Sequence, residues 1–168
     1  PPDQVIVTGS PMREVLEHYA GGIASSGALA ELGLEPQRYF LVSSHREENV
    51  DDPARLARLF AVLDAVAERH GLPVIVSTHP RTARRIEAGE FRPHPLVRLM
   101  KPFGFLDYAH LQQQARAVLS DSGTITEESN ILNFPALNIR EAHERPEAME
   151  EASVMMVGLG TERILQGL

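Results

Sequence analysis

Ala117-Val118-Leu119-Ser120-Asp121-Ser122-Gly123-Thr124-Ile125-Thr126-Glu127-Glu128 is the stretch that decides the fold. A short, mostly apolar run breaks into a polar turn around one glycine, and an amphipathic segment follows to about Leu132. This predicts a buried strand at 117–120 and a helix from Thr124. The same alternation recurs on both sides. Tyr39–Ser44, Pro73–Ser77, Val97–Met100, Ala136–Ile139 and Val154–Val157 read as further strands. Helices are expected from Asp52-Pro53 to His70-Gly71, over Arg81–Ala88, near Leu106–Ala115, near Pro146–Glu151 and from about Thr161. In the first of these, Leu56, Leu59, Phe60, Leu63 and Val66 fall at helical spacing. Strands that are continuous apolar runs are covered on both faces, which calls for a parallel sheet with helices on each side. The expected fold class is α/β, a Rossmann-like doubly wound parallel sheet. Upstream, Val5-Ile6-Val7 precedes a helix with Ser10 at its N-cap, Pro11 at N1 and Val15, Leu16 and Tyr19 along it. Gly21-Gly22 is expected to stop that helix.

Composition bounds what such a sheet does. A chain of 168 residues, 43% hydrophobic and 23% charged, suits one globular domain with a substantial core. There is no cysteine, so no disulfide framework, thiolate nucleophile or cysteine-based zinc site, and a cytoplasmic location is expected. A net charge of −7 argues against nucleic acid or an anionic membrane as the main partner, and no apolar run is long enough to span a bilayer. Lys101 is the only lysine, which removes a Walker-type phosphate loop. No two histidines stand at the helical i, i+4 spacing of a zinc site, so no metal is expected. No G-x-G-x-x-G follows a strand, which counts against NAD. The opening Pro1-Pro2-Asp3, without an initiator methionine, reads as a linker cut from a longer protein.

In doubly wound sheets ligands bind beyond the carboxyl ends of the strands, so the residues that follow each strand carry the function. They are Ser43 to Asn49, Thr78-His79-Pro80-Arg81, Lys101 to Phe105, Asp121 to Thr124, and Arg140 to Arg145. Histidines, arginines, a glycine turn and aromatic rings on one edge suit a phosphorylated, aromatic ligand. Ser122-Gly123-Thr124 would let backbone approach a phosphate at a helix start. Thr124 and Glu127 equally fit a plain capping box. Glu128, one helical turn beyond Thr124, suits either a ribose diol or solvent. Arg140 and Arg145 suit phosphate or their neighbouring glutamates. His45 suits a phosphate, a proton transfer or a structural hydrogen bond. Asp121 reads as a cap or turn acid.

Val7 to Pro11, Ser44-His45-Arg46-Glu47-Glu48-Asn49-Val50, Asp121 to Glu128 and Arg140 to Glu147 resemble, in order, the blocks of the non-hydrolysing UDP-N-acetylglucosamine 2-epimerase family. Asn138 to Glu147 with Met155-Met156-Val157-Gly158 is most similar to the branch that makes UDP-N-acetyl-L-fucosamine from its 2-epimer. The resemblance implies the C-terminal half of a GT-B fold. Residues 1–20 would be an interdomain linker and connecting helix, 21–168 the UDP-binding domain, and the N-terminal domain would be absent. It implies that His45, Ser122, Gly123, Thr124 and Arg145 hold the diphosphate, Glu128 the ribose hydroxyls, and Phe103 and Tyr108 the uracil. His45 is then the one candidate catalytic residue in the chain. Thr124 departs from the family's Ser-Gly-Gly, and His45-Arg46-Glu47-Glu48 from its His-Arg-Arg-Glu. The implied reaction eliminates UDP across C1–C2 to a glycal and re-adds it with C2 inverted, without a cofactor. The implied partners are a UDP-sugar and the N-terminal domain, with room for a homodimer. Two rivals stand beside this reading: a UDP-sugar-dependent glycosyltransferase half of the same fold, and a non-catalytic nucleotide-sugar sensor.

Overall fold

The computed structural model describes residues 10–44, 52–78, 83–84, 92–140 and 154–168. Six strands are described: β1 (Phe40–Ser44), β2 (Val74–Thr78), β3 (Val97–Met100), β4 (Ala117–Ser120), β5 (Ala136–Asn138) and β6 (Val154–Met156). They form one sheet in the order β3-β2-β1-β4-β5-β6, and every adjacent pair is parallel. Phe40 stands level with Val74 on one side and Ala117 on the other.

The sheet is covered on both faces, which is why its central strands are apolar without a break. Phe40, Val42, Val74, Val76 and Leu119 pack under α4 (Pro53–His70) and α7 (Thr161–Gly167), where Leu56, Leu63 and Ile164 are fully buried. Tyr39, Leu41, Ile75 and Val118 face the other way, against Leu111 of α5 (Phe105–Gln114) and Ile125 of α6 (Ile125–Leu132). Side chains of this size each contribute about 1.5–3 kcal/mol when fully buried. α4 opens where expected: Asp52 Oδ1 accepts from Ala54 N at 2.8 Å, Pro53 takes the first turn, and Gly71 ends the helix at φ +61°.

Three short helices, α1 (Met12–His18), α2 (Ala20–Ala24) and α3 (Ala28–Leu32), precede the sheet. α1 starts one residue later than expected: Pro11, not Ser10, is its N-cap and carries no side-chain cap bond, while Ser10 Oγ accepts from Met12 N at 3.3 Å just ahead of the helix. It does not stop at the glycine pair. The break falls at Tyr19, and Gly21 and Gly22 lie inside α2. A Cβ on Gly22 would lie 3.1 Å from Leu106 Cδ1, so this glycine serves the close approach of α2 to α5. Leu16, Ile23 and Ala109 form a small third core there. Of the helix expected over 81–88, only 83–84 are described, and they are helical. The helix expected near 146–151 and the apolar run 5–7 lie outside the described residues.

Candidate functional site

From β1 the chain runs to β2 and β3 on one side, and then to β4, β5 and β6 on the other. The order therefore reverses between β1 and β4, which is where such sheets open a crevice for ligands. A cavity of about 530 Å³ lies at that edge. Ser43, Ser77 and Ser120 at the strand ends line it, with Phe103 and Phe105 after β3, Tyr108 on α5, and Ser122 and Glu128 on the turn and helix after β4. Its described lining is hydroxyls, aromatic rings, the Pro102 ring and one carboxylate.

The turn is knit together by its own hydroxyls. Ser122 N donates to Ser120 Oγ at 3.1 Å, Thr124 N donates to Ser122 Oγ at 3.2 Å, and the Ser122 and Thr124 hydroxyls lie 2.8 Å apart. Thr124 Oγ1 then donates to Glu128 Oε1 at 2.6 Å, which puts Glu128 on the side of the turn that the four-residue spacing implies. The capping box is not formed. Thr124 has helical angles (φ −92°, ψ −7°) and no side-chain cap bond, and Glu127 instead accepts from Ser10 Oγ at 2.6 Å. A cap residue needs extended backbone to swing its oxygen back over the first turn, and Thr124 lacks it. Glu128 is not a solvated surface acid either: Gln112 Nε2 donates to its Oε2 at 2.6 Å.

Gly123 has no steric reason of its own. Its φ lies outside the left-handed region, and a Cβ built there meets nothing within 4 Å. What the glycine keeps is open space above the turn. Asp121, read as a cap or turn acid, is fully buried; it accepts from Ser44 Oγ at 2.9 Å and ties the end of β1 to that of β4. Beside it the Tyr108 phenol is pushed up from its ordinary pKa by burial, with a hydrogen bond to Ser43 opposing and the charges of Glu128 and Asp121 adding to the rise. Tyr108 thus lines the cavity with its ring and stays protonated. Phe105, 46% exposed, meets Tyr19 edge-on at 5.7 Å on the rim.

Of the residues singled out by sequence, Phe103, Tyr108, Ser122 and Glu128 meet in this cavity, with Gly123 and Thr124 in the turn beneath. His45 and Arg145 lie outside the described residues. Arg140 is buried and lines a second hollow of about 350 Å³, between the end of β5 and the turn Gly158–Gly160. Sequence reasoning missed Gln112, whereas Ser43 and Phe105 lie in the runs after β1 and β3 that it named. A glutamine on a core-facing helix position was a readable signal for Gln112. Among the described residues no cluster of three or more His, Asp or Glu could hold a metal ion, and no helix is long and apolar enough to cross a membrane.

The chain is a Rossmann-like α/β sheet of order 3-2-1-4-5-6 with its cavity at the reversal point, and its likeness to the solved structures below makes it one half of a GT-B architecture. The family model described as UDP-N-acetylglucosamine 2-epimerase matches residues 1–168, and the chain belongs to that family. A UDP-N-acetylglucosamine 2-epimerase of Methanocaldococcus jannaschii is 31% identical over 134 residues, covering 77% of this chain and 37% of the relative. The solved enzyme of that name from Rickettsia bellii superposes with a TM-score of 0.84 at 42% identity, covering 99% of this chain and 44% of its own. The Methanocaldococcus jannaschii enzyme in complex with UDP-GlcNAc and UDP superposes with a TM-score of 0.85 at 26% identity, over 99% of this chain and 48% of its own. The chain therefore spans less than half the length of these relatives.

Proposed function

We propose that this chain is the UDP-binding domain of a non-hydrolysing UDP-N-acetylhexosamine 2-epimerase, and that it does not epimerise alone. The observation that carries the reading is the cavity at the β1–β4 reversal, where a glycine turn, a helix start and a held carboxylate meet aromatic rings. A diphosphate sits over the turn at Ser122, Gly123 and Thr124, where the start of the eight-residue helix α6 favours negative charge. His45 and Arg145 supply its positive partners. Glu128 takes the ribose hydroxyls, and Phe103 and Tyr108 take the uracil.

In the reaction, a base removes the C2 proton, the C1–oxygen bond breaks, and UDP leaves as the glycal forms. The same UDP then returns to C1 as C2 is reprotonated on the other face. This domain holds the leaving diphosphate and stabilises its charge, and His45 is its candidate for proton transfer. The acid and base at C2 belong to an N-terminal domain, to which residues 1–20 connect. No metal or redox cofactor takes part. Support comes from the M. jannaschii relative, a UDP-GlcNAc 2-epimerase solved with UDP-GlcNAc and UDP.

Calorimetric titration of the chain with UDP, UMP and NAD tests the binding half. UDP is expected to bind more tightly than UMP, and NAD not comparably. Equal affinity for UDP and UMP would overturn the diphosphate assignment.

A further inference from the structure

Glu128 is held on both sides. Gln112, 2% exposed on α5, donates to Oε2 at 2.6 Å, and Thr124 donates to Oε1 at 2.6 Å. The facing atom of Gln112 is its nitrogen, because an ionised carboxylate only accepts. Such a carboxylate takes roughly four hydrogen bonds, about two on each oxygen. One acceptor site on each oxygen is therefore used by protein and one on each is left, on a side chain that lines the cavity. Two acceptors side by side on one planar group suit two hydroxyls on adjacent carbons.

The location of Gln112 argues that the bond has a purpose. Its neighbours Leu111 and Ala115 are fully buried, and an apolar side chain there would avoid the cost of burying an amide. We propose that Gln112 is a positioning residue: it fixes the plane of the Glu128 carboxylate so that the two remaining acceptor sites meet the vicinal diol of a ribose. The inference rests on Glu128 being the ribose residue of the proposed UDP site. Without Gln112 the carboxylate is tied at one oxygen only, turns about its terminal bond, and meets one hydroxyl at a time.

The test is the ratio of dissociation constants for 2′-deoxy-UDP and UDP, measured on the 168-residue chain. The wild type is expected to favour UDP by about tenfold, the size of one bond to a charged group. Gln112→Met, similar in length but without a donor, should bring the ratio near one while 2′-deoxy-UDP affinity and melting temperature hold. A purely structural role would weaken both ligands alike and leave the ratio standing. Should the methionine variant misfold, Gln112→Glu keeps the shape, repels Glu128 and is read by the same ratio. Glu128→Gln separates the two ways of failing. If it removes the discrimination and the Gln112 variants do not, the positioning role is wrong and the ribose assignment survives. If the wild type shows no discrimination, or Glu128→Gln leaves it intact, the ribose assignment fails and the inference with it.

Discussion

Gly123 separates what folding requires from what a ligand requires. Neither its backbone angles nor any neighbour within 4 Å demands a glycine. Gly123→Ala is therefore expected to leave thermal stability unchanged, or to raise it by about 0.4–1 kcal/mol through the loss of unfolded-chain freedom. The added methyl enters the space proposed for the diphosphate, and overpacking there should weaken UDP by about 1–3 kcal/mol. Melting curves and calorimetry on one variant decide it; lost stability with unchanged UDP affinity would make Gly123 a folding residue. How far this edge was legible depends on range. The proximity of Thr124 and Glu128 was readable because one helical turn sets it. The failure of the capping box was not, because Thr124 sits in helical angles imposed by the hydroxyl web of Ser120 and Ser122. The Gln112 contact joins positions sixteen apart in sequence on two different helices, and only the packing of α5 beside α6 creates it.

The alternation of strand and helix was legible because burial on both faces leaves each central strand a plain apolar run and each covering helix an amphipathic one. The glycine pair misled because Gly22 is set by a neighbour, Leu106, some eighty residues away in the chain. α4 shows both kinds of information. Its start is local, and Asp52→Ala is expected to cost about 1 kcal/mol of stability, the usual worth of such a cap, in a denaturant titration. Its end is tertiary. A histidine at a helix C-terminus ordinarily gains from the dipole, yet His70 has its pKa lowered by burial first, then by Arg116 and Arg69. Its ring lies 5.0 Å from that of Phe40, and among the described residues its Nε2 has no hydrogen-bond partner. The lowered folded-state pKa means that the unfolded chain binds the proton more readily. The stabilisation is complete above the unfolded value of 6.5 and is lost as pH falls from there through the folded value. His70→Gln should flatten the fall in melting temperature below that pH. Parallel wild-type and variant curves across that range would show that His70 is not the group responsible.

For the whole molecule, binding and chemistry are expected to separate. The described cavity offers one carboxylate, Glu128, and the protein already spends one acceptor site on each of its oxygens on Gln112 and Thr124. Glu127 is turned to Ser10, about 100° around the helix from its neighbour, and Asp121 is buried under the turn. None of these pairs flanks a sugar carbon from opposite faces, which inversion at C2 requires. The chain covers only 44% of the Rickettsia bellii enzyme that it superposes on, and on the proposed reading the cleft that closes over the sugar needs an N-terminal domain as well. Without such closure, water stays at the reacting carbon and transition-state binding cannot exceed substrate binding by much. With UDP-N-acetylated hexosamines in heavy water, the chain is therefore expected to bind nucleotide and to exchange no C2 deuterium above the enzyme-free rate, as read by NMR. The full-length protein, given the same sugar and no acceptor, should scramble C2, where a glycosyltransferase or a sensor would leave it untouched. Exchange by the 168 residues themselves would move the acid–base chemistry into this domain, with His45 the first residue to replace.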